Sequence, residues 1–304
     1  MDKIAYLSQQ FDARTKRFLD RHLDFYRSPA ISAMEPFQIA DQLYYVGDKQ
    51  VCIHLIETEE GLILIDSGYP CSIHLLVDSI WRLGFDPKDV RWILHSHGHF
   101  DHFGASEEFR IRYGTKLAIS AAEAAALREH PQQALLEWSG NPLFQTPAFD
   151  RELADGEVFR LGSTKIRCVL TPGHSAGVMS FFFDVTYCGR TYLAGMFGGA
   201  GLGALTLSQI QYCEFPPEQP QIMLHSIERI QNEPVTVWLG NHPGNNSTLE
   251  KRAKQLVEGG NPFIEETAWN DFMTGMHRVV EDIIVKNREE EETLKQQLGR
   301  GNNQ

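Results

Sequence analysis

Residues 95 to 102 read His-Ser-His-Gly-His-Phe-Asp-His, and within them lies the spacing His-x-His-x-Asp-His. Neutral imidazoles and a carboxylate bind borderline-soft divalent metals, with Zn²⁺ the default for so histidine-rich a set. The spacing has a physical reason. In extended backbone, residues two apart face the same side, so His97 and His99 can grip one ion together. Asp101 and His102 follow where the loop turns, placed to address a second ion, and Gly98 leaves room for a tight path. A polar surface turn, the competing explanation, would need none of these four side chains.

Two further histidines sit in matching contexts, Thr171-Pro172-Gly173-His174 and Gly240-Asn241-His242-Pro243-Gly244. Alone, each is a surface turn histidine. Because each follows an expected strand, the three loops can share one edge of a sheet. They then supply six candidate ligands for two ions: His97, His99, Asp101, His102, His174 and His242. His95 is expected to make structural hydrogen bonds and mid-strand His54 to pack. The glycine-rich run at 198–203 lacks the Gly-Lys-Ser/Thr ending of a phosphate loop and the third Gly of a dinucleotide fingerprint, so it is expected as a mobile loop near the site.

The elements that must carry these loops are short. Residues 1–30 space Leu7, Phe11, Phe18, Leu19, Leu23 and Tyr26 as an amphipathic helical arm that Ser28-Pro29 stops. Strands are expected over 43–46, 51–57 and 62–65, a helix over 72–83 ended by Gly84, and a strand over 91–94 leading into the histidine loop. A helix from Phe103, a strand over 116–119 and a helix with a Ser120/Glu123 capping box follow, then a Pro-rich loop over 141–147. Strands over 164–170, 178–184 and 191–194, a helix over 218–230 and a strand over 235–239 make a second sheet-building half. The domain reading is therefore an arm (1–30), a central two-sheet domain that carries the candidate ligands (31–250) and a helical extension (251–304) ending in a frayed polar tail.

Composition narrows the function classes. With 304 residues, 42% apolar and 22% charged, the chain can bury a full core, and no run of 18 apolar residues offers a membrane span. Lys plus Arg number 28 against 40 Asp plus Glu, a net charge of −12, which disfavours nucleic acid because phosphate neutralisation needs a basic surface. Five scattered cysteines without a CxxC fit reduced thiols, and residues 1–27 lack a secretory h-region, so a cytoplasmic protein is expected.

The stretches LILIDSG (62–68), His97 to His102, TPGH (171–174) and GNHP (240–243) together resemble the metallo-β-lactamase superfamily. The resemblance implies an α/β fold, an αββα sandwich of two mixed β-sheets flanked by helices. It implies a first zinc on His97, His99 and His174 and a second on Asp101, His102 and His242, with Asp101 also orienting the attacking water and Asp66 orienting the metal loop. Tyr69, Phe100 and Phe197 would flank the metals. Met196 stands where most members carry an Asp bridging both metals, which weakens the comparison with glyoxalase II, the tRNA-processing nucleases and the acyl-homoserine lactonases. It is most similar to the β-lactamase subclass with an Asp/His/His second site. His99, where di-iron members have Glu, argues against a redox role. The implied function is a dinuclear zinc-dependent hydrolase cleaving an amide or ester carbonyl of a small-molecule substrate by metal-bound hydroxide, as in β-lactam hydrolysis. The alternatives are a lactone or thioester hydrolase, or a metal-binding scaffold without turnover. The terminal helices would either shape the pocket rim or mediate a homo-oligomer.

Overall fold

The computed structural model describes residues 2–301. Helix α1 (Lys3–Arg27) starts where the Asp2 carboxylate accepts the Ala5 N–H at 2.8 Å, and it stops at Ser28, which the following proline holds out of helical geometry. A seven-stranded sheet then assembles in the order β1 (Phe37–Ala40), β2 (Leu43–Tyr45), β3 (His54–Thr58), β4 (Gly61–Ile65), β5 (Val90–Leu94), β6 (Lys116–Ser120), β7 (Arg151–Leu153). Its first four strands pair antiparallel and the rest parallel. The second sheet comprises β8 (Val158–Leu161), β9 (Thr164–Leu170), β10 (Met179–Tyr187), β11 (Arg190–Met196) and β12 (Val237–Leu239), and only β11–β12 is parallel.

The period of two along the strands decides what lies between the layers. In β4, Ile63 and Ile65 enter the core between the sheets with Phe181, Phe183 and Met196 of the other sheet. Leu62 and Leu64 point outward, beneath Leu76 and Ile80 of α2 (Ile73–Arg82) and Phe109 of α3 (Ser106–Tyr113). On the far side Val169 and Phe182 pack under α6 (Gln219–Ile230) and α8 (Ala268–Gly301) through Met223, Ile227 and Trp269. Each such buried side chain contributes about 1.5–3 kcal/mol before cavity effects. The product is the expected αββα sandwich of two mixed sheets. The remaining helices are α4 (Ala121–Glu129), α5 (Leu207–Tyr212) and α7 (Thr248–Glu258).

Several boundaries differ from expectation, for reasons that bear on the site. The helix expected from Phe103 begins at Ser106, because the preceding turn must pass Gly104 against the backbone of Gly68 and Tyr69, where a Cβ would meet atoms at 2.2–2.3 Å. The strand expected from Val51 begins at His54. Residues 51 and 52 serve other partners: the Cys52 N–H donates to the Asn241 carbonyl at 3.0 Å and so ties this edge to the His242 loop. Strands β1, β7 and β8 and helix α5 carry too few residues to show a periodic signal, and none was expected. Helix α8 continues through the polar run to Gly301, and residues 302–304 of the expected tail lie outside the described residues. Among the described residues no helix is long and apolar enough to cross a membrane.

Candidate metal centre

The loop after β5 is anchored before any ligand appears. Asp66, just past β4, adopts a left-handed backbone (φ 62°), and its carboxylate accepts the Ser96 N–H at 2.7 Å, the Ser96 hydroxyl at 2.8 Å and His102 Nδ1 at 2.8 Å. His95 turns away from the site: Nδ1 meets the Ala118 carbonyl at 2.9 Å and Nε2 the Ser106 hydroxyl at 2.7 Å. With both ring nitrogens engaged, it is a structural histidine. His54 Nε2 bonds the Gly240 carbonyl at 2.9 Å and braces the turn that precedes His242.

The six candidate side chains gather in two groups, His97 with His99 and His174, and Asp101 with His102 and His242. Within each group the ligand atoms lie within 4.8 Å of one another. His97 Nε2 faces His99 Nδ1 at 3.1 Å, and Asp101 Oδ2 lies 3.5 Å from His242 Nε2 and 3.7 Å from His102 Nε2. The groups adjoin through His97 and His102, whose ring centroids are 4.1 Å apart.

Tautomers follow from the outer partners. His97, His174 and His242 each donate Nδ1–H to a backbone carbonyl, of Gly198 (2.9 Å), Gly201 (2.6 Å) and Gln50 (2.8 Å), while His102 donates to Asp66. In all four rings the Nε2 lone pair is therefore left for an inward ligand. Burial, aided by neighbouring imidazoles, pushes His97 and His99 well below the usual histidine range. Burial also lowers His242 and takes His174 down to about 4. Burial disfavours charge on His102 as well, but Asp101 and Asp66 more than offset it and raise its pKa. His99 Nε2 and His102 Nε2 are buried without a protein partner. Inward lone pairs on mostly neutral imidazoles, one carboxylate and an orphaned His102 nitrogen are a donor set that fits divalent cations.

Two devices hold the loops in place. Ser120 caps α4 by accepting the Glu123 N–H at 3.0 Å, but the expected capping box is only half built, because the Glu123 carboxylate goes elsewhere. It accepts the Gly98 N–H at 2.7 Å, the Ser175 hydroxyl at 2.9 Å and the Gly177 N–H at 2.5 Å, spanning the His97/His99 and His174 loops. The glycine run offers a rack of carbonyls: Gly198 to His97 and to the Asn241 amide, Gly201 to His174, and Gly203 to Arg14. Residue 198 is thus fixed at the site by hydrogen bonds, a firmer role than a mobile loop.

A cavity of about 300 Å³ opens over both groups, with Tyr69, Phe100 and Trp138 among its walls. Phe197 is not there. It packs with Met223 and Trp269 beneath the outer helices, and Met196 is buried between the sheets, so neither side chain reaches the pocket. Sequence reasoning missed Arg14, Phe18 and His22 of α1 together with Trp138 and Gln209, all of which line the cavity. No local motif marks them. Of the roles open to the terminal helices, α1 takes that of pocket wall.

Residues 46–186 match the family model described as the metallo-beta-lactamase superfamily. These residues form a metallo-β-lactamase superfamily domain. Among solved structures the chain is similar to BJP-1, a subclass B3 metallo-β-lactamase of Bradyrhizobium japonicum, with 27% identity and a TM-score of 0.75 over 85% of this chain and 96% of that one. Among curated relatives it is 24% identical to a hydroxyacylglutathione hydrolase of Chelativorans sp. (strain BNC1), covering 70% of this chain and 76% of that protein. It is 28% identical to an N-acyl homoserine lactonase of Bacillus thuringiensis, covering 47% of this chain and 62% of the lactonase. Sequence likeness thus extends to a hydroxyacylglutathione hydrolase and an N-acyl homoserine lactonase even though Met196 stands at the position of the expected bridging carboxylate.

Proposed function

We propose that this metallo-hydrolase holds two zinc ions, one on His97, His99 and His174 and one on Asp101, His102 and His242, and cleaves an amide or ester carbonyl of a small molecule. β-Lactam-type amides are the nearest substrate class. The observation that carries this reading is the pair of adjoining ligand groups with their nitrogens turned inward at the floor of one cavity. Likeness to a subclass B3 β-lactamase over most of both chains supports the choice of amide. The five free cysteines, three of them buried, support a cytoplasmic address.

When bound by these six residues, a pair of divalent cations would supply Lewis acidity, which lowers the pKa of water and polarises a carbonyl. The protein's own groups supply the rest. Asp101, on the cavity wall between His102 and His242, accepts a hydrogen bond from the attacking water and sets its direction. The carbonyls of Gly198, Gly201 and Gln50 keep three imidazoles in the ligating tautomer, and Tyr69, Phe100 and Trp138 give the cavity beside them an aromatic wall.

The curated relatives favour a second reading, hydrolysis of a lactone or a thioester. Elemental analysis of the purified protein, followed by assays with a chromogenic cephalosporin, a lactone panel and a glutathione thioester with and without added zinc, tests both. Two equivalents of zinc and zinc-dependent cephalosporin turnover are expected. Turnover confined to the lactone or thioester would move the assignment to that class. A metal-loaded protein inert to all three would make it a binding scaffold.

A further inference from the structure

Arg14 lies on α1, outside the residues matched by the family model, yet it lines the cavity. Its Nη1 donates to the Gly203 carbonyl at 2.7 Å and to Gln209 Oε1 at 2.9 Å. The Gly203 bond fixes the guanidinium to the segment whose Gly201 carbonyl orients His174, two residues away. The charge lies over the Trp138 ring, 5.1 Å from its centroid.

Both of these acceptors are neutral. Among the described residues no carboxylate oxygen lies within 4.0 Å of the guanidinium, and Nη2 and Nε have no protein acceptor. A neutral amide could strap α1 to this loop equally well, so a half-buried cation without a counter-ion is a costly choice for a purely structural tie. Arg14 is thus a cation on the cavity wall with no internal counter-ion, in a chain of net charge −12, and such a group is suited to pair with an anion from outside. Nη2 packs close over Gly203, and with Nε it keeps the two N–H directions that a carboxylate can bridge, while Phe18, Phe100 and Trp138 offer an apolar seat to the rest of the ligand.

We propose that Arg14 is the anion-binding residue of this pocket and that the substrate bears a carboxylate seated against the aromatic wall. The proposal deepens the hydrolase reading and depends on it for the word substrate. A β-lactam acid and a glutathione conjugate both carry this chemistry; a neutral lactone does not.

The test is calorimetric titration of the metal-loaded full chain with phenylacetate and with its neutral analogue phenylacetamide, in wild type, Arg14→Met and Arg14→Lys. Wild type should prefer the acid. Arg14→Met should lose about tenfold in affinity for phenylacetate and little for phenylacetamide, and Arg14→Lys should keep part of the preference. Equal phenylacetate affinity in wild type and Arg14→Met, or no preference for the acid in wild type, would overturn the proposal. If Arg14→Met displaces α1 and loses both ligands, Arg14→Lys decides: a preference for the acid smaller than wild type's supports the assignment, and one equal to wild type's, which the metal ions alone would give, sinks it. Kinetics with benzylpenicillin against its methyl ester, and with S-lactoylglutathione, identify the source of the carboxylate through the substrate whose KM rises in Arg14→Met. Calorimetry needs no turnover, so a protein that hydrolyses nothing yet shows the Arg14-dependent preference would defeat the hydrolase reading alone.

Discussion

Glu123 accepts the Gly98 N–H at 2.7 Å, and its other carboxylate oxygen accepts the Gly177 N–H and the Ser175 hydroxyl. One fully buried side chain at the start of α4 therefore sets the distance between the loop bearing His97 and His99 and the loop bearing His174. Burial raises its pKa, and the three donors work against that shift. Glu123→Gln leaves one amide oxygen for two backbone donors. It should cost about 1–3 kcal/mol in urea denaturation and lower zinc occupancy at the His97/His99/His174 group, read by chelator competition. Unchanged stability and occupancy would show that the loops hold their spacing without it.

Asp66 acts on the other group. Asn tolerates the same left-handed backbone, so Asp66→Asn isolates the charge and the acceptor that His102 Nδ1 requires. About a 10- to 100-fold weaker second zinc is expected, with the first retained, measured by stepwise metal titration. Equal loss of both ions would mean that Asp66 supports the whole loop and not His102 in particular.

Glycine substitutions should separate two kinds of space. A Cβ on Gly104 would lie 2.2–2.3 Å from the backbone of Gly68, Tyr69 and Pro70, none of which can yield cheaply. Gly275 in α8 has nothing within 4 Å and no positive φ. Gly104→Ala should destabilise by about 3 kcal/mol or more, whereas Gly275→Ala should stabilise by roughly 0.5–1 kcal/mol through helix propensity. Thermal melts of both variants check the contrast.

His54 predicts a direction with pH. Burial lowers its pKa, so the folded chain keeps it neutral while the unfolded chain takes up a proton below about pH 6.5. Its contribution is complete above that pH and is lost as the solution becomes more acid. Denaturation at about pH 7.5 and 5.5 should show a smaller stability difference in His54→Gln, which can still donate to Gly240, than in wild type. An identical difference would remove His54 from the acid response.

The sequence by itself determined the chemistry on offer and the order in which it arrives. The histidines, Asp101 and the strand-then-glycine contexts are local patterns, and period-two strands such as 62–65 specify which residues turn inward and outward without knowledge of the partner sheet. Asp66 was legible through its place in a familiar run. Only the tertiary structure decided what surrounds the ligands. Glu123 looked like half of a capping box because its partners, Gly98 and Gly177, lie 25 and 54 residues away in opposite directions of search. Arg14 carries no signal within its amphipathic arm, and only the packing of α1 lays it against Gly203, 189 residues on. Met196 and Phe197 drew attention by their neighbours in the chain, yet strand alternation carried one side chain between the sheets and the next beneath the outer helices. Hydrogen bonds across such separations leave no periodic trace, because their partners are chosen by packing.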